Sequence, residues 1–277
     1  MNKNKILLST GSLIWLGLQK SILYVRKAGF DGLEIVPSKN IVLEIKKIDY
    51  GFLENNYNLK MIGNIHQSWR LDMGMDKSYG IQFPINIFFA ILRFVFFPKV
   101  KQSNDLIELL SDNLNLPVTV HDLSDKWTRD NNNKEFSGGI SYEIIGASTD
   151  PEKLKQWMKN PKHNIVIDSR DDQSLLWARK YGFDSWQKFW TWIGIDKIKS
   201  YQLTFIGYNG LRKIFMHQRS LPEEQLLWLN ESNWNGKVVV EINPLIILIL
   251  CKGDLKRGFR TINQFVRQTL IEGRRWS

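Results

Sequence analysis

Residues 237–244, KVVVEINP, are the stretch that decides how the rest of the chain is interpreted. Val238, Val239 and Val240 are consecutive β-branched residues, a run typical of a strand buried on both faces in a parallel sheet covered by helices. The run ends at Glu241, and a buried carboxylate is costly unless it has a partner such as a metal, another cation or a substrate. In α/β folds ligands bind at the carboxyl ends of the strands, so Glu241 is the first candidate for a functional residue.

Outward from this strand, the chain alternates short apolar runs with segments of helical spacing. The predicted strands are residues 6–9, 33–36, 59–65, 117–120, 139–145, 164–167, 198–205 and 238–242. Helical periodicity covers residues 18–28, 40–56, 105–113, 149–159, 173–181, 186–193 and 254–272. Eight strands alternating with helices predict a parallel sheet, and a chain of 277 residues suits its closure into a (β/α)8 TIM barrel.

The same pass along the chain favours a single domain over residues 1–277. Proline, glycine and serine are dispersed, so no linker divides the chain. No glycine-rich phosphate loop of the P-loop or dinucleotide type is present, which argues against a nucleotide-binding open sheet.

One segment does not fit the regular alternation. Residues 83–98, FPINIFFAILRFVFFP, follow the third strand and are strongly apolar. They are fewer than the ~20 residues that a membrane-spanning helix needs, and Asn86 and Arg93 interrupt them. We therefore predict a buried helical insertion and no transmembrane segment, with a lid over a pocket or a contact in a homo-oligomer as the alternatives.

Charge and cysteine content restrict the partners and the compartment. The formal net charge is +10, which favours anionic partners such as phosphorylated metabolites or nucleic acid, although a general use of lysine would give the same number. The single cysteine, Cys251, excludes an internal disulfide and a cysteine-rich zinc site. The N-terminus has too short an apolar run for a secretory signal, so we expect a cytoplasmic protein.

Polar residues that suit metal binding or proton transfer lie within the predicted strands or where these end. His66 and His121 follow strands three and four, and His217 lies in the approach to strand eight. The acidic residues of this kind are Glu34, Glu143, Asp168 and Glu241. In a barrel these side chains converge on one mouth, where carboxylates and imidazoles are suitable ligands for a divalent metal. Paired carboxylates can also remove a proton from a carbon acid and deliver one to it.

Each of these residues also has a purely structural interpretation. His66 and His121 could cap backbone carbonyls, and His217 could be an ordinary loop residue. Glu34 could pair with a basic side chain inside the barrel. Glu143, Asp168 and Glu241 are predicted to be buried acids that face one mouth, and such acids repel one another without a cation. For these three residues the functional interpretation is therefore favoured.

At this point the sequence resembles the xylose isomerase-like TIM barrels, a superfamily of sugar-phosphate isomerases, epimerases and endonuclease IV-type enzymes. The resemblance covers nearly the whole chain. It begins with the predicted first βαβ unit, LSTGSLIWLG and SILYVRKAGFDGLEIV, and continues through IHQSW, VTVHDLS and IVIDSRD. It closes with MHQRSLPEE and LNESNWNGKVVVEINP, which follow the family order of histidine, loop, helix, small-residue turn and strand.

The isomerase branch of this superfamily implies a site on strands five to eight. The resemblance places the ligands of one divalent metal at Glu143, Asp168, Gln202 and Glu241. Gln202 stands where the family has a histidine, and an amide oxygen suits Mn²⁺, Mg²⁺ or Co²⁺ better than Zn²⁺. The resemblance also implies that Glu143 and Glu241 are the acid–base pair, and that His66, His121, His217 and Glu34 are candidates for contacts with a sugar or sugar phosphate.

The leading hypothesis is therefore a metal-dependent isomerase or epimerase that moves a proton at a carbon next to a carbonyl. The alternative is a metal-dependent phosphoester hydrolase of the endonuclease IV type, with nucleic acid as partner. Against it, Asp171, Gln202 and Phe215 stand where that branch has two histidines and an aspartate. The third hypothesis is a barrel that has lost catalysis and serves as a binding protein.

Overall fold

The eight predicted strands form one closed barrel. The structure, a computed structural model, describes residues 4–45, 61–66, 98, 100–120, 139–144, 151–169, 178–204 and 208–276. Its strands are β1 (Lys5–Ser9), β2 (Gly32–Ile35), β3 (Ile62–His66), β4 (Val118–Val120), β5 (Ile140–Glu143), β6 (His163–Asp168), β7 (Ile198–Thr204) and β8 (Lys237–Glu241). All neighbours pair in parallel, in chain order, and β8 pairs back with β1. The predicted (β/α)8 TIM barrel is confirmed.

Helices connect the strands along the outside. Among the described residues they are α1 (Leu18–Ala28), α2 (Lys39–Ile45), α3 (Val100–Leu114), α4 (Pro151–Met158), α5 (Trp186–Ile193), α6 (Tyr208–Phe215), α7 (Leu221–Glu231), α8 (Pro244–Leu250) and α9 (Leu255–Val266). The closing helix was predicted well, since Asp254 caps α9 and a π-helical turn continues it to Ile271. Periodicity did not predict α6 or α8, each of which spans only about two turns.

The outward face of the barrel packs on the helices. Inside each strand the residues that enter this outer core alternate with residues that face the barrel axis, as the period of two in a strand requires. On β7, for example, Tyr201 and Leu203 are fully buried among the helices, while Gln202 between them faces inward. Hydrophobic burial outside the barrel therefore leaves its inner face free to carry polar residues.

The inner face combines a small apolar plug with polar side chains. Leu7 fills space that Gly32 and Gly63 leave open, since a Cβ atom on either glycine would lie about 3 Å from its side chain. Lys237 reaches in from the start of β8 and donates to the carbonyl of Gly63 at 2.6 Å. Burial, reinforced by the charge of Lys5, lowers the pKa of Lys237 to about 8. Leu7 and Lys237 thus fill the interior toward the end of the barrel opposite the carboxyl ends of the strands.

Two sequence predictions fall largely outside the described residues. The apolar insertion 83–98 lies there except for Pro98, so its helical form and its role in a homo-oligomer stay predictions. Among the helices of the described ranges, none combines the length and hydrophobicity that crossing a membrane requires.

Candidate functional site

The inner face of the barrel carries a cluster of buried polar side chains near the carboxyl ends of its strands. Glu34 lies within β2, His66 ends β3, Glu143 ends β5 and Asp168 ends β6, and each of their side chains is at most 3% exposed. Glu241, at the end of β8, keeps 21% of its side chain exposed at the mouth. These residues belong to separate strands, so only closure of the barrel brings them together.

His66 is the centre of this cluster. Its Nε2 lies 2.8 Å from Glu143 Oε2, and its Nδ1 lies 3.3 Å from Glu34 Oε1 and 4.0 Å from Glu241 Oε2. Burial alone would lower the pKa of His66, but the charges and hydrogen bonds of Glu34 and Glu143 outweigh it and hold the pKa well above 6.5. His66 is therefore an imidazolium at neutral pH and acts as the counter-charge of the acids around it.

Of the three glutamates around His66, Glu241 lies farthest from the imidazole nitrogens. Burial raises its pKa from 4.5 to about 8, and the negative charges of Glu34, Glu143 and Asp168 act in the same direction, against a partial offset by His66. Near neutral pH Glu241 therefore holds a proton that it can release when a cation or a substrate enters. A proton held at this position is what a general acid needs.

A hydrogen bond from the neighbouring strand β3 fixes the side chain of Glu34. Asn64 donates to Glu34 Oε2 at 2.5 Å and to Thr119 Oγ1 at 3.0 Å. The second oxygen, Oε1, faces His66 Nδ1 across the 3.3 Å ion pair. The hydrogen bond from Asn64 on β3 holds one carboxylate oxygen, and Thr119 on β4 in turn accepts from Asn64, so the other oxygen of Glu34 is directed toward His66.

Three of these residues could hold a metal ion. Glu34, His66 and Glu241 each offer a ligand atom, and the three atoms lie within 4.8 Å of one another. Two carboxylate oxygens and one imidazole nitrogen form a ligand set that divalent transition metals accept. The raised pKa of Glu241 fits the same conclusion, because a cation there would relieve the repulsion between the acids. The residues present therefore fit a divalent metal.

The four residues that the resemblance implies as metal ligands are all buried or half-buried on the inner face. Gln202 is fully buried in β7, and its Cα pairs in register with Asp168 on one side and Val239 on the other. Neither its amide oxygen nor its amide nitrogen has a hydrogen-bond partner among the described residues. This ligand set shares only Glu241 with the three residues that lie within 4.8 Å, so it stays a prediction.

The loop after β1 forms one wall of the mouth. Thr10 Oγ1 accepts from Val36 N at 2.7 Å, and Ser12 Oγ accepts from Ile242 N at 2.8 Å, which ties the loop to the ends of β2 and β8. Between these anchors Gly11 lies directly against Glu241, because a Cβ atom there would overlap Glu241 Oε1. The sequence signal for this wall is a glycine between two hydroxyl residues directly after a strand, in Thr10-Gly11-Ser12.

Gly11→Ala is expected to weaken divalent-metal binding by about 10- to 100-fold, the usual cost of disturbing groups that orient metal ligands. The added methyl group must displace the Glu241 carboxylate or the tied loop. Isothermal titration with Mn²⁺ measures the change.

Gly17→Ala is the matched control. A Cβ atom at Gly17 would likewise overlap a glutamate carboxylate, that of Glu44. Glu44 lies outside the barrel, where its carboxylate accepts a hydrogen bond from Gln19 N at the start of α1. Its metal affinity should equal that of the wild type. Equal affinity in Gly11→Ala would show that Gly11 does not position Glu241.

The remaining predicted site residues lie elsewhere. His121 is outside the described residues. His217 is exposed and stacks on Trp276 with ring centroids 4.6 Å apart, so the structure does not bring it into the buried cluster. His163, which was not a predicted site residue, is buried at the start of β6, where it stacks on Trp157 and donates from Nδ1 to the carbonyl oxygen of Trp157 at 3.1 Å, which is a structural role.

Known proteins share this fold at low sequence identity. The sequence matches no known family and no curated protein. A xylose isomerase domain-containing protein from Salmonella typhimurium LT2 is 12% identical, with a TM-score of 0.55 over 96% of this chain and 97% of that chain. An uncharacterised protein from Parabacteroides distasonis is 12% identical, with a TM-score of 0.52 over 96% and 98%. The IolI protein, in a crystal structure with a bound zinc atom, is 12% identical, with a TM-score of 0.56 over 98% and 99%. The chain thus has the fold of the xylose isomerase-like barrels.

Proposed function

We propose that this protein is a metal-dependent isomerase or epimerase that acts on a small sugar or sugar phosphate. The observation that carries the proposal is the arrangement of Glu143 and Glu241 on β5 and β8, with His66 between them. The two carboxylates approach opposite nitrogens of one imidazole ring, so they face each other across the mouth. That is the placement needed to remove a proton on one side of a substrate carbon and deliver one on the other.

Glu241 and Glu143 differ in how readily each binds a proton, and this difference assigns their proposed roles. In the metal-free site Glu241 has a pKa of about 8, so its surroundings favour the uptake of a proton, which suits it to take up a proton and deliver it. Glu143 accepts a hydrogen bond from the His66 imidazolium, which favours its charged form and suits it to remove one. In the reverse reaction the two residues exchange roles, so the pair can act on either isomer.

A divalent metal would polarise the carbonyl next to the reacting carbon and so make its C–H bond more acidic. Glu34, His66 and Glu241 are the residues whose ligand atoms already lie close enough to hold it. His66 must lose its proton to become a ligand, so metal binding should release protons. The zinc atom bound to the IolI protein supports a metal in a barrel of this fold, and an N/O ligand set leaves Mn²⁺, Mg²⁺ and Co²⁺ as candidates beside Zn²⁺.

Metal titration of two variants tests which acids hold the cation. We expect Glu34→Gln to lose Mn²⁺ binding by at least ~100-fold, because Glu34 belongs to the close group, and Asp168→Asn to lose much less. The reverse order would establish the ligands that the resemblance implies. Absence of Mn²⁺, Mg²⁺, Co²⁺ and Zn²⁺ binding by the wild type would contradict the metal-dependent proposal.

Solvent deuterium exchange tests the chemistry itself. The metal-loaded wild type should incorporate deuterium from D₂O into a sugar at the carbon next to the carbonyl, and Glu143→Gln should slow this by ~10²- to 10⁴-fold. Cleavage of abasic-site DNA by the wild type, without deuterium incorporation into any sugar, would replace the isomerase by a phosphoester hydrolase. The net charge of +10 is the observation that keeps that outcome in the test.

A further inference from the structure

Gln202 lies on the inner face of the barrel, and its buried amide group makes no hydrogen bond within the described part of the chain. It faces the barrel axis, since Tyr201 and Leu203 on either side of it pack outward into the core. Its Cα lies in register with Asp168, whose side chain is also buried on the inner face. Gln202 is therefore part of the wall that a ligand in the barrel would meet.

The amide group of Gln202 has no partner in the described part of the chain. Both Oε1 and Nε2 are fully buried without a hydrogen bond. Gln225, in α7 on the outer side of the same strand, shows the usual arrangement, because its Oε1 accepts from Tyr201 Oη at 2.8 Å. Two unpaired polar atoms in one buried side chain destabilise the ligand-free protein. A ligand that makes hydrogen bonds to both atoms would remove this cost.

A metal ion would not satisfy both atoms. It would bind Oε1 but leave the Nε2 donor unpaired beside a cation. The close metal-binding group also lies on β2, β3 and β8 rather than on β7. A hydroxyl group, in contrast, accepts from Nε2 and donates to Oε1, and two adjacent hydroxyls can do so with good geometry.

We propose that Gln202 recognises the hydroxyl groups of an uncharged polyol or sugar chain through both of its amide atoms, and is not a metal ligand. Gln202 carries no charge and its neighbour in register is the buried carboxylate of Asp168, so this position favours a neutral hydroxyl group over a phosphate. The ligand therefore presents a neutral polyhydroxy end to Gln202. This inference rests on the proposed function, since it names the part of the same substrate that the β7 side of the barrel binds.

The first test compares one substitution at two buried glutamines in the ligand-free protein. Gln202→Met keeps the shape and removes the unsatisfied polar atoms, so we expect its Tm to rise by about 2–4 °C. Gln225→Met is the matched control, and its Tm should fall because Tyr201 Oη loses its acceptor. A fall of Tm in Gln202→Met would show that the amide is already satisfied, and would overturn the proposal.

The second test measures ligand binding with Mn²⁺ present. D-Xylose, D-fructose, xylitol and glycerol are the probes, and at least one should bind the wild type with an affinity that Gln202→Met lowers by ~10-fold or more. Gln202→Met and Gln202→Glu should both retain Mn²⁺, because Gln202 is not one of the residues of the close metal-binding group. Gln202→Glu keeps an oxygen acceptor but replaces the amide donor, so it should also lose the probe. Equal probe affinity in wild type and Gln202→Met, or no binding of any probe by the wild type, would overturn the proposal.

These outcomes separate the inference from the proposed function. Deuterium incorporation with equal activity and affinity in Gln202→Met would leave the isomerase intact and remove the role of Gln202. Probe binding that depends on Gln202, with no deuterium incorporation, would leave a polyol-binding site without the proposed chemistry.

Discussion

Glu241→Gln is expected to abolish turnover, with a loss of ~10²-fold to 10⁴-fold in solvent deuterium exchange, and to weaken Mn²⁺ binding strongly. The residue combines two functions in one carboxylate. It is the proton donor of the proposed pair, and it is a ligand in both of the metal-binding sets considered. Glutamine keeps its shape but can neither carry the proton nor supply the charge.

The same variant should change how stability depends on pH. The pKa of Glu241 is about 8 in the folded protein and near 4.5 when unfolded, so the folded state binds more protons in this range. That contribution to stability is complete below pH 4.5 and is lost as pH rises through 8, by up to ~1.4 kcal/mol per pH unit. Urea unfolding of the metal-free protein at several pH values measures this slope.

The window between pH 4.5 and 5.5 isolates Glu241. About one pH unit or more below 6.5, His66 is protonated in both the folded and the unfolded protein, so it adds little slope there. Metal-free wild type should lose stability across this window more steeply than Glu241→Gln. Identical slopes in the two proteins would mean that Glu241 ionises normally, and the assignment of Glu241 as proton donor would be wrong.

His66→Phe is expected to destabilise the metal-free protein by about 3–5 kcal/mol at pH 7. Within the described part of the chain, the substitution removes the cation that contacts both Glu34 and Glu143, and so takes away charge compensation from two buried carboxylates. Urea unfolding gives the free energy directly. The loss should be largely recovered when Glu34→Gln and Glu143→Gln are added, because the neutral amides no longer need a counter-charge.

His217→Phe is the control for this loss. His217 is exposed and stacks on Trp276, so phenylalanine preserves the ring contact and the stability should change by no more than ~0.5 kcal/mol. If His66→Phe cost as little, the acids around it would not depend on its charge.

Sequence reasoning located the strands well because their signals are local. The valine run of β8 and the LEI run of β2 are continuous or alternating apolar segments, and they were placed to within one residue. The short helices α6 and α8 were missed, since two turns give too few residues for a clear period. The start of β3 was placed three residues early, at Leu59 rather than Ile62.

The sequence predicted which residues belong to the candidate site, but not which of them are in contact. Glu34, His66, Glu143, Asp168 and Glu241 were selected because each lies within a strand or where it ends, and the structure places all five on the inner face. Which of them touch was not predictable, because contacts between β2, β3, β5 and β8 depend on barrel closure and strand stagger. Gly11 was overlooked for the same reason, since its contact is with Glu241 at the far end of the chain.

The sequence by itself determined the barrel, because hydrophobic periodicity and the alternation of strand and helix are encoded locally along the chain. It also predicted that Glu34, His66, Glu143, Asp168 and Glu241 would lie at one mouth. Only the tertiary structure decided that His66 is the shared counter-charge, that Glu241 has a pKa of about 8 and that Gln202 has no hydrogen-bond partner among the described residues. The physical reason is that ion pairing, desolvation and hydrogen-bond satisfaction depend on distances of a few ångströms between strands far apart in sequence.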